Sequence, residues 1–178
     1  MQSLLKARSL FRCGKAPSGD TDAVLRDFTQ QDQCAVKELI LDGLRERWGD
    51  AFDDAYNRDL DDIRGNYQLN SAEVVVAEVR GEIVATGMLL DEQGEGRIVR
   101  MSVASSHRRQ GLATMVVLEL VERARGKGFA VVNVRTDTPW TSAVGLYLSC
   151  GFDHVGSDAT DTHFEKWLTA KPDHSCGA

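Results

Sequence analysis

The sequence predicts a mixed α/β domain in which one long helix crosses over between two strands of a single sheet. Three observations predict it. Strand-like and helix-like runs alternate in the order β-α-α-β-β-β-α-β-α-β-β between Ala23 and Leu168. The three middle strands are joined by short Gly-containing turns, which suit an antiparallel meander. The run Phe129–Val134 is apolar but for Asn133, the pattern of a buried parallel strand, and it follows the long helix. The 178 residues, 42% hydrophobic and 27% charged, suit one domain of ordinary size rather than a disordered chain.

The elements follow in chain order. Ala23-Val-Leu-Arg-Asp-Phe28 alternates as a first strand. Gln31–Gly43 carries Val36, Leu39 and Ile40 at helical spacing, continued by Leu44, with Asp32 as its N-cap. Between Gly49 and Asn70 lie Asp50, Asp53, Asp54, Asp59, Asp61 and Asp62, and Leu60, Ile63 and Tyr67 give a second short helix. Glu73–Val79 and Glu82–Leu90 form a hairpin about Arg80-Gly81, and Gly94 and Gly96 turn the chain into Arg97–Val103. A polar, basic stretch, Ala104–Gln110, leads into a helix from Gly111 to Arg125. Its apolar face is Ala113, Val116, Val117, Leu120, Val121 and Ala124, and Gly126 and Gly128 end it. Thr141–Ser149 is a short helix, and Gly151–Gly156 and Thr162–Leu168 are the last strands. No repeat or linker divides the domain, placed at residues 23–169, and residues 170–178 read as a loose tail.

The formal net charge of −6 counts against a protein built to grip nucleic acid. No run approaches the ~20 apolar residues of a membrane helix. The charge is unevenly spread. Met1–Gly19 holds Lys6, Arg8, Arg12 and Lys15 and no acid, so removing that +4 from −6 leaves −10 for the remainder. Residues 1–22 therefore read as a flexible basic leader. It is either a transit peptide to an organelle matrix or the tail of a cytoplasmic protein. Cys13, Cys34, Cys150 and Cys176 show no CxxC spacing, so free thiols are expected and neither disulfides nor a metal site.

The most informative residues are His107-Arg-Arg-Gln-Gly-Leu-Ala-Thr114, between a strand and the long helix. A helix N-terminus offers unpaired N–H groups and partial positive charge, a seat for phosphate. Gly111 permits close approach, Ala113 keeps the next turn small, and Arg108 and Arg109 add cationic donors. No acidic residue occurs from Arg97 to Thr114. A solvated turn with two arginines is the plainer reading of the same residues. No nucleoside-triphosphate loop or dinucleotide fingerprint is present.

Arg108-x-x-Gly111-x-Ala113 resembles the [QR]-x-x-G-x-[GA] signature of the GNAT (GCN5-related) acetyltransferases. Arg97–Val103 and Val131–Val134 sit where that family has its two central strands, and Ala143-Val-Gly-Leu-Tyr-Leu-Ser-Cys-Gly-Phe152 is similar to its A-x-x-L-Y-x-x-x-G-F segment. The resemblance spans Val24–Leu168. It implies a mixed, mostly antiparallel sheet with two splayed central parallel strands and flanking helices. It also implies an acetyl-CoA-dependent N-acetyltransferase acting on a primary amine in a ternary complex, without a metal and as a monomer or homodimer. Acetyl-CoA would lie between the splayed strands. Its pantetheine arm would pair with Met101, Ser102 and Val103, and its pyrophosphate would rest on Arg108, Arg109, Gln110, Gly111, Leu112, Ala113 and Thr114.

By the same resemblance Tyr147 would protonate the departing thiolate, although a core aromatic on a short helix is the plainer role. The strand carboxylate that serves many relatives as base is missing, because Arg97, Val99 and Arg100 stand there. His163 and Asp137 are the substitutes considered, with a water chain as the alternative. Trp140 replaces a frequent Asn and suggests an aromatic wall. The fold would bring Trp48, Tyr67 and the aspartates of 50–62 near the acceptor, suggesting a cationic small molecule. A peptide or protein amine, or a non-catalytic acyl-CoA sensor, are the other readings.

Overall fold

The structure, a computed structural model, describes residues 22–171; nearly all of the predicted leader, most of the predicted tail, Cys13 and Cys176 lie outside the described residues. The elements are β1 (Ala23–Asp27), α1 (Gln33–Trp48), α2 (Ile63–Asn66), β2 (Glu73–Val79), β3 (Glu82–Glu92), β4 (Glu95–Val103), α3 (Leu112–Gly126), β5 (Val131–Asp137), α4 (Thr141–Ser149), β6 (Asp153–Ser157) and β7 (Asp161–Trp167). They build one seven-stranded sheet in the order β1-β2-β3-β4-β5-β7-β6. Only β4 and β5 are parallel, and α3 makes the crossover between them. No helix among the described residues is long and apolar enough to cross a membrane.

The meander turns at Arg80-Gly81 as its sequence asks, whereas the second turn is Gln93-Gly94 rather than Gly94 to Gly96, because Gly96 is buried within β4 opposite Asp91. Arg80-Gly81 (φ 52° and 84°) and Gln93-Gly94 (φ 60° and 89°) each place two successive residues in the left-handed region. That geometry matches the twist of the strands it joins.

The sheet is covered on both faces, and the period-2 alternation of β2 feeds both cores. Val75 and Ala77 pack with α3 and α4, whereas Val74 and Val76 pack with Val36, Ile40, Leu60 and Ile63 of the α1 side. On α3 the buried stripe starts at Leu112 rather than at the predicted Ala113.

Three local expectations are corrected. First, α1 does not stop at Gly43 but runs to Trp48. A Cβ on Gly43 would lie 3.0 Å from the Ser102 Oγ, and the Ser102 hydroxyl donates to the Leu39 carbonyl at 2.9 Å. Gly43 is therefore the point where helix and sheet approach closely, and packing outweighs its weak helix propensity.

Second, Asp32 does not cap α1 with its side chain. The carboxylate turns back to accept from the Thr29 N–H (2.8 Å) and from two guanidinium nitrogens of Arg26 (2.7 and 2.8 Å). Those bonds hold its pKa at about 2 against the burial that would raise it.

Third, residues 49–70 form short 3-10 turns around the single α-turn of α2. Asp53 accepts from the Ala55 N–H and Asp62 from the Gly65 N–H, both at 2.8 Å. Such local bonds compete with a continuous helical ladder.

Candidate active site

β4 and β5 pair only where Gly96–Ile98 meets Val132–Val134. Beyond Ile98 they part. A bulge on β4 accompanies the parting: Met88 opposes Val99 and Thr86 opposes Ser102, so Gly87 faces both Arg100 and Met101. Arg100 takes a left-handed φ of 53° there. A bulge bends its strand and raises the local twist. Gly87 makes room for it, since a Cβ there would strike the Met101 side chain and lie 2.8 Å from Val116 and 3.0 Å from Leu120.

The gap holds a cavity of about 720 Å³. Its floor is the β4 chain from Ile98 to Val103. One wall is a stripe of α1, namely Ile40, Gly43, Leu44 and Arg47. The opposite end is closed by the start of α3, by Arg135 and Thr136 of β5, and by Trp140 and Tyr147.

Met101, Ser102, Val103, Arg108, Arg109, Gly111, Leu112, Ala113 and Thr114 all line this one cavity. Gly111 (φ 84°) is the N-cap of α3, and the first helical bond runs from the Met115 N–H to the Gly111 carbonyl at 3.0 Å. The N–H groups of Leu112, Ala113 and Thr114 thus have no helical acceptor. This end suits a diphosphate.

Two loop residues behave otherwise than expected. Arg108 is held by both Glu46 carboxylate oxygens at 2.7 Å, tying the loop to α1. Gln110 lies off the cavity, 3.4 Å from the Ser106 carbonyl.

Tyr147 is 5% exposed. Its ring packs edge-on against Phe152, with centroids 5.7 Å apart, and tilted against Phe164 at 5.8 Å. The core-aromatic role is therefore real. The same side chain lines the cavity, and burial, with a smaller contribution from Cys150, pushes its phenol well above the ordinary value. Tyr147 is thus held protonated.

The remaining predicted residues divide. Trp140 lines the cavity; Trp48 and Tyr67 do not. Trp48 is half exposed, and Tyr67 is hydrogen-bonded to Asp59 and accepts from Arg100 Nε at 3.3 Å. Asp137 does not line the cavity; its carboxylate lies 4.0 Å from the Nε of Arg47, which does. His163 lines a separate shallow pocket and bonds Asp158 at 2.8 Å.

No aspartate of the 50–62 cluster lines the cavity. Asp59 is clasped by Arg100 at 2.7 Å from both oxygens, Asp61 by Lys37 at 2.6 Å, and Asp53 and Asp62 accept from backbone. These carboxylates are spent on local structure.

The sequence reading missed Glu46, Arg47 and Arg135, which all line the cavity, and it took Arg100 only as a lost base. The spacing of 40, 43, 44 and 47 carries a signal for Arg47, because it continues the α1 stripe past Gly43. Nothing local signals Arg135.

The profile of the acetyltransferase (GNAT) family matches residues 35–152. This chain belongs to that family. Among curated GNAT relatives, it is 32% identical over 116 residues to the probable N-acetyltransferase family 8 member 5 of Mus musculus, covering 62% of this chain and 51% of that protein. It is 28% identical over 139 residues to the uncharacterized N-acetyltransferase YjgM of Escherichia coli, covering 74% and 83%. The chain spans about half the length of the mouse and rat relatives it matches. Solved GNAT structures share the fold. A Staphylococcus aureus GNAT acetyltransferase superposes with TM-score 0.75 at 15% identity over 83% of this chain and 99% of its own. The paia N-acetyltransferase of Thermoplasma acidophilum, in complex with coenzyme A, gives 0.71 at 12% identity over 83% and 100%.

Proposed function

We propose that this GNAT chain transfers the acetyl group of acetyl-CoA to a primary amine of a small molecule, by direct attack within a ternary complex. The observation that carries the reading is a single cavity. It joins an unpaired helix N-terminus, a strand edge left open by the β4–β5 splay, and a buried, protonated tyrosine.

The residues present fit acetyl-CoA. The free N–H groups at the start of α3, with Arg109, suit its diphosphate, and the open β4 edge suits an extended amide arm. Bound there, acetyl-CoA supplies an activated acyl group. Tyr147 keeps a proton at its hydroxyl up to alkaline pH and can deliver it to a departing thiolate. Trp140 and the α1 stripe wall the acceptor side. Of the two candidate bases Asp137, 4.0 Å from Arg47 Nε, is the one beside a cavity side chain, whereas His163 lines a separate pocket.

The test is release of free thiol from acetyl-CoA across a panel of small amines and lysine peptides, alongside calorimetric titration with CoA. CoA binding together with amine-dependent thiol release is expected. CoA binding with no release for any amine would instead support a sensor.

A further inference from the structure

Among the described residues, the acceptor side of the cavity is lined by three arginines and by no free carboxylate. Arg47 comes from α1, Arg100 from the β4 bulge and Arg135 from β5. The one carboxylate among the lining residues, Glu46, is held by Arg108.

The three charges are not equally committed. Arg100 is neutralised by Asp59 through two 2.7 Å bonds. Arg135 lies 3.7 Å from Asp161 and is half exposed to water. Arg47 is different. Its Nε is buried without a hydrogen-bond partner, and the nearest carboxylate, Asp137, stops at 4.0 Å. Its guanidinium carbon lies 5.4 Å from the Trp140 ring centre and 5.8 Å from that of Trp48. Two indoles thus hold a planar cation at the cavity wall with donors unspent. The Nε is closed off, but the side chain is one quarter exposed and, among the described residues, no hydrogen bond occupies its terminal Nη donors, and a carboxylate is the partner that matches a guanidinium fork.

We propose that the acceptor amine carries a carboxylate, and that Arg47 binds it in the cavity between β4 and β5. The inference rests on the acetyl-transfer reading above and narrows its substrate class to amino acids and similar amino carboxylates. It also replaces the cationic acceptor suggested by the aspartate cluster. The uncommitted Arg47 cation disfavours an ammonium group beside it, so it favours the unprotonated amine that can attack. This suits a cavity whose strand offers no carboxylate base.

The experiment uses matched pairs that differ only in the carboxylate, phenylalanine against phenethylamine and leucine against isoamylamine. The same pairs are run with Arg47→Met and Arg47→Lys. The expected result is a kcat/KM preference for the amino acid of about 10- to 100-fold, the size of a charge-assisted contact. In Arg47→Met that ratio collapses toward one, chiefly through KM for the amino acid, and Arg47→Lys keeps part of it. A second readout needs no turnover. With CoA present, N-acetylphenylalanine raises the thermal midpoint more than N-acetylphenethylamine does, and Arg47→Met removes the difference. Equal or inverted preference within each pair, or equal protection by the two products, overturns the inference and leaves acetyl transfer intact. Absence of thiol release from every amine, with selective protection by N-acetylphenylalanine retained, overturns the acetyl-transfer reading and not the carboxylate site.

Discussion

Replacing Tyr147 with Phe separates the two roles that its position combines. The ring fills the core between Phe152 and Phe164, and Phe keeps both contacts. The hydroxyl lines the cavity, and its raised pKa arises from burial and from Cys150, with no hydrogen bond contributing. Its removal breaks no protein bond, so the stability change at neutral pH is expected to stay within ~0.5 kcal/mol. Catalysis is expected to fall much further. A positioned general acid contributes roughly 10²–10⁴-fold, and the substitution removes the proton itself. The pH dependence supplies an independent sign. The folded pKa of Tyr147 lies above the unfolded value near 10.0. Its contribution to stability is therefore complete below about pH 10 and is lost as the pH rises beyond it. Tyr147→Phe should flatten that alkaline decline. The assays are steady-state thiol release and denaturant unfolding between pH 7 and 11. A kcat within threefold of wild type, with CoA binding unchanged, would refute the acid role. A midpoint loss of several degrees would show that the hydroxyl supports the fold.

Further outcomes follow from the same geometry. Gly87→Ala should destabilise the chain by ~1–3 kcal/mol, because the added Cβ meets Val116 at 2.8 Å and Leu120 at 3.0 Å. Adding Met101→Ala should return part of that loss in denaturant titrations, and an additive double variant would contradict the packing account. Asp32→Asn should cost roughly 1–3 kcal/mol at neutral pH by breaking the bidentate bond to Arg26. The folded pKa of Asp32, about 2, lies below the unfolded 3.8, so its stabilisation is present above about pH 4 and lost as the pH falls toward 2. Acid titration of the Asn variant should lack that step. Glu46→Gln should release Arg108 toward the diphosphate end and tighten CoA a few-fold by calorimetry, and weaker CoA binding would show that the Glu46 tie supports the loop.

The sequence by itself determined the elements whose causes are local. The β2–β4 meander follows from its β-branched apolar runs and from the glycines at Arg80-Gly81 and Gly94, whose left-handed turns need no distant partner. The start of α3 at Gly111 and the span of α4, Thr141–Ser149, were legible for the same reason. So was the phosphate end of the cavity, since consecutive residues around one helix N-terminus build it. Tertiary structure decided the rest. Gly43 reads as a helix stop until Ser102 is seen beside it across 59 positions of sequence. Asp53, Asp59, Asp61 and Asp62 read as an attraction for a cationic acceptor until Arg100, Lys37 and nearby backbone N–H groups are found to occupy them. The acceptor side was the least legible part. Its charge is set by Arg47, Arg100 and Arg135, which come from three separate elements and meet only because β4 and β5 part beyond Ile98. Charge along a chain reports how many ions are present, whereas charge in a cavity depends on which of them the fold has already paired.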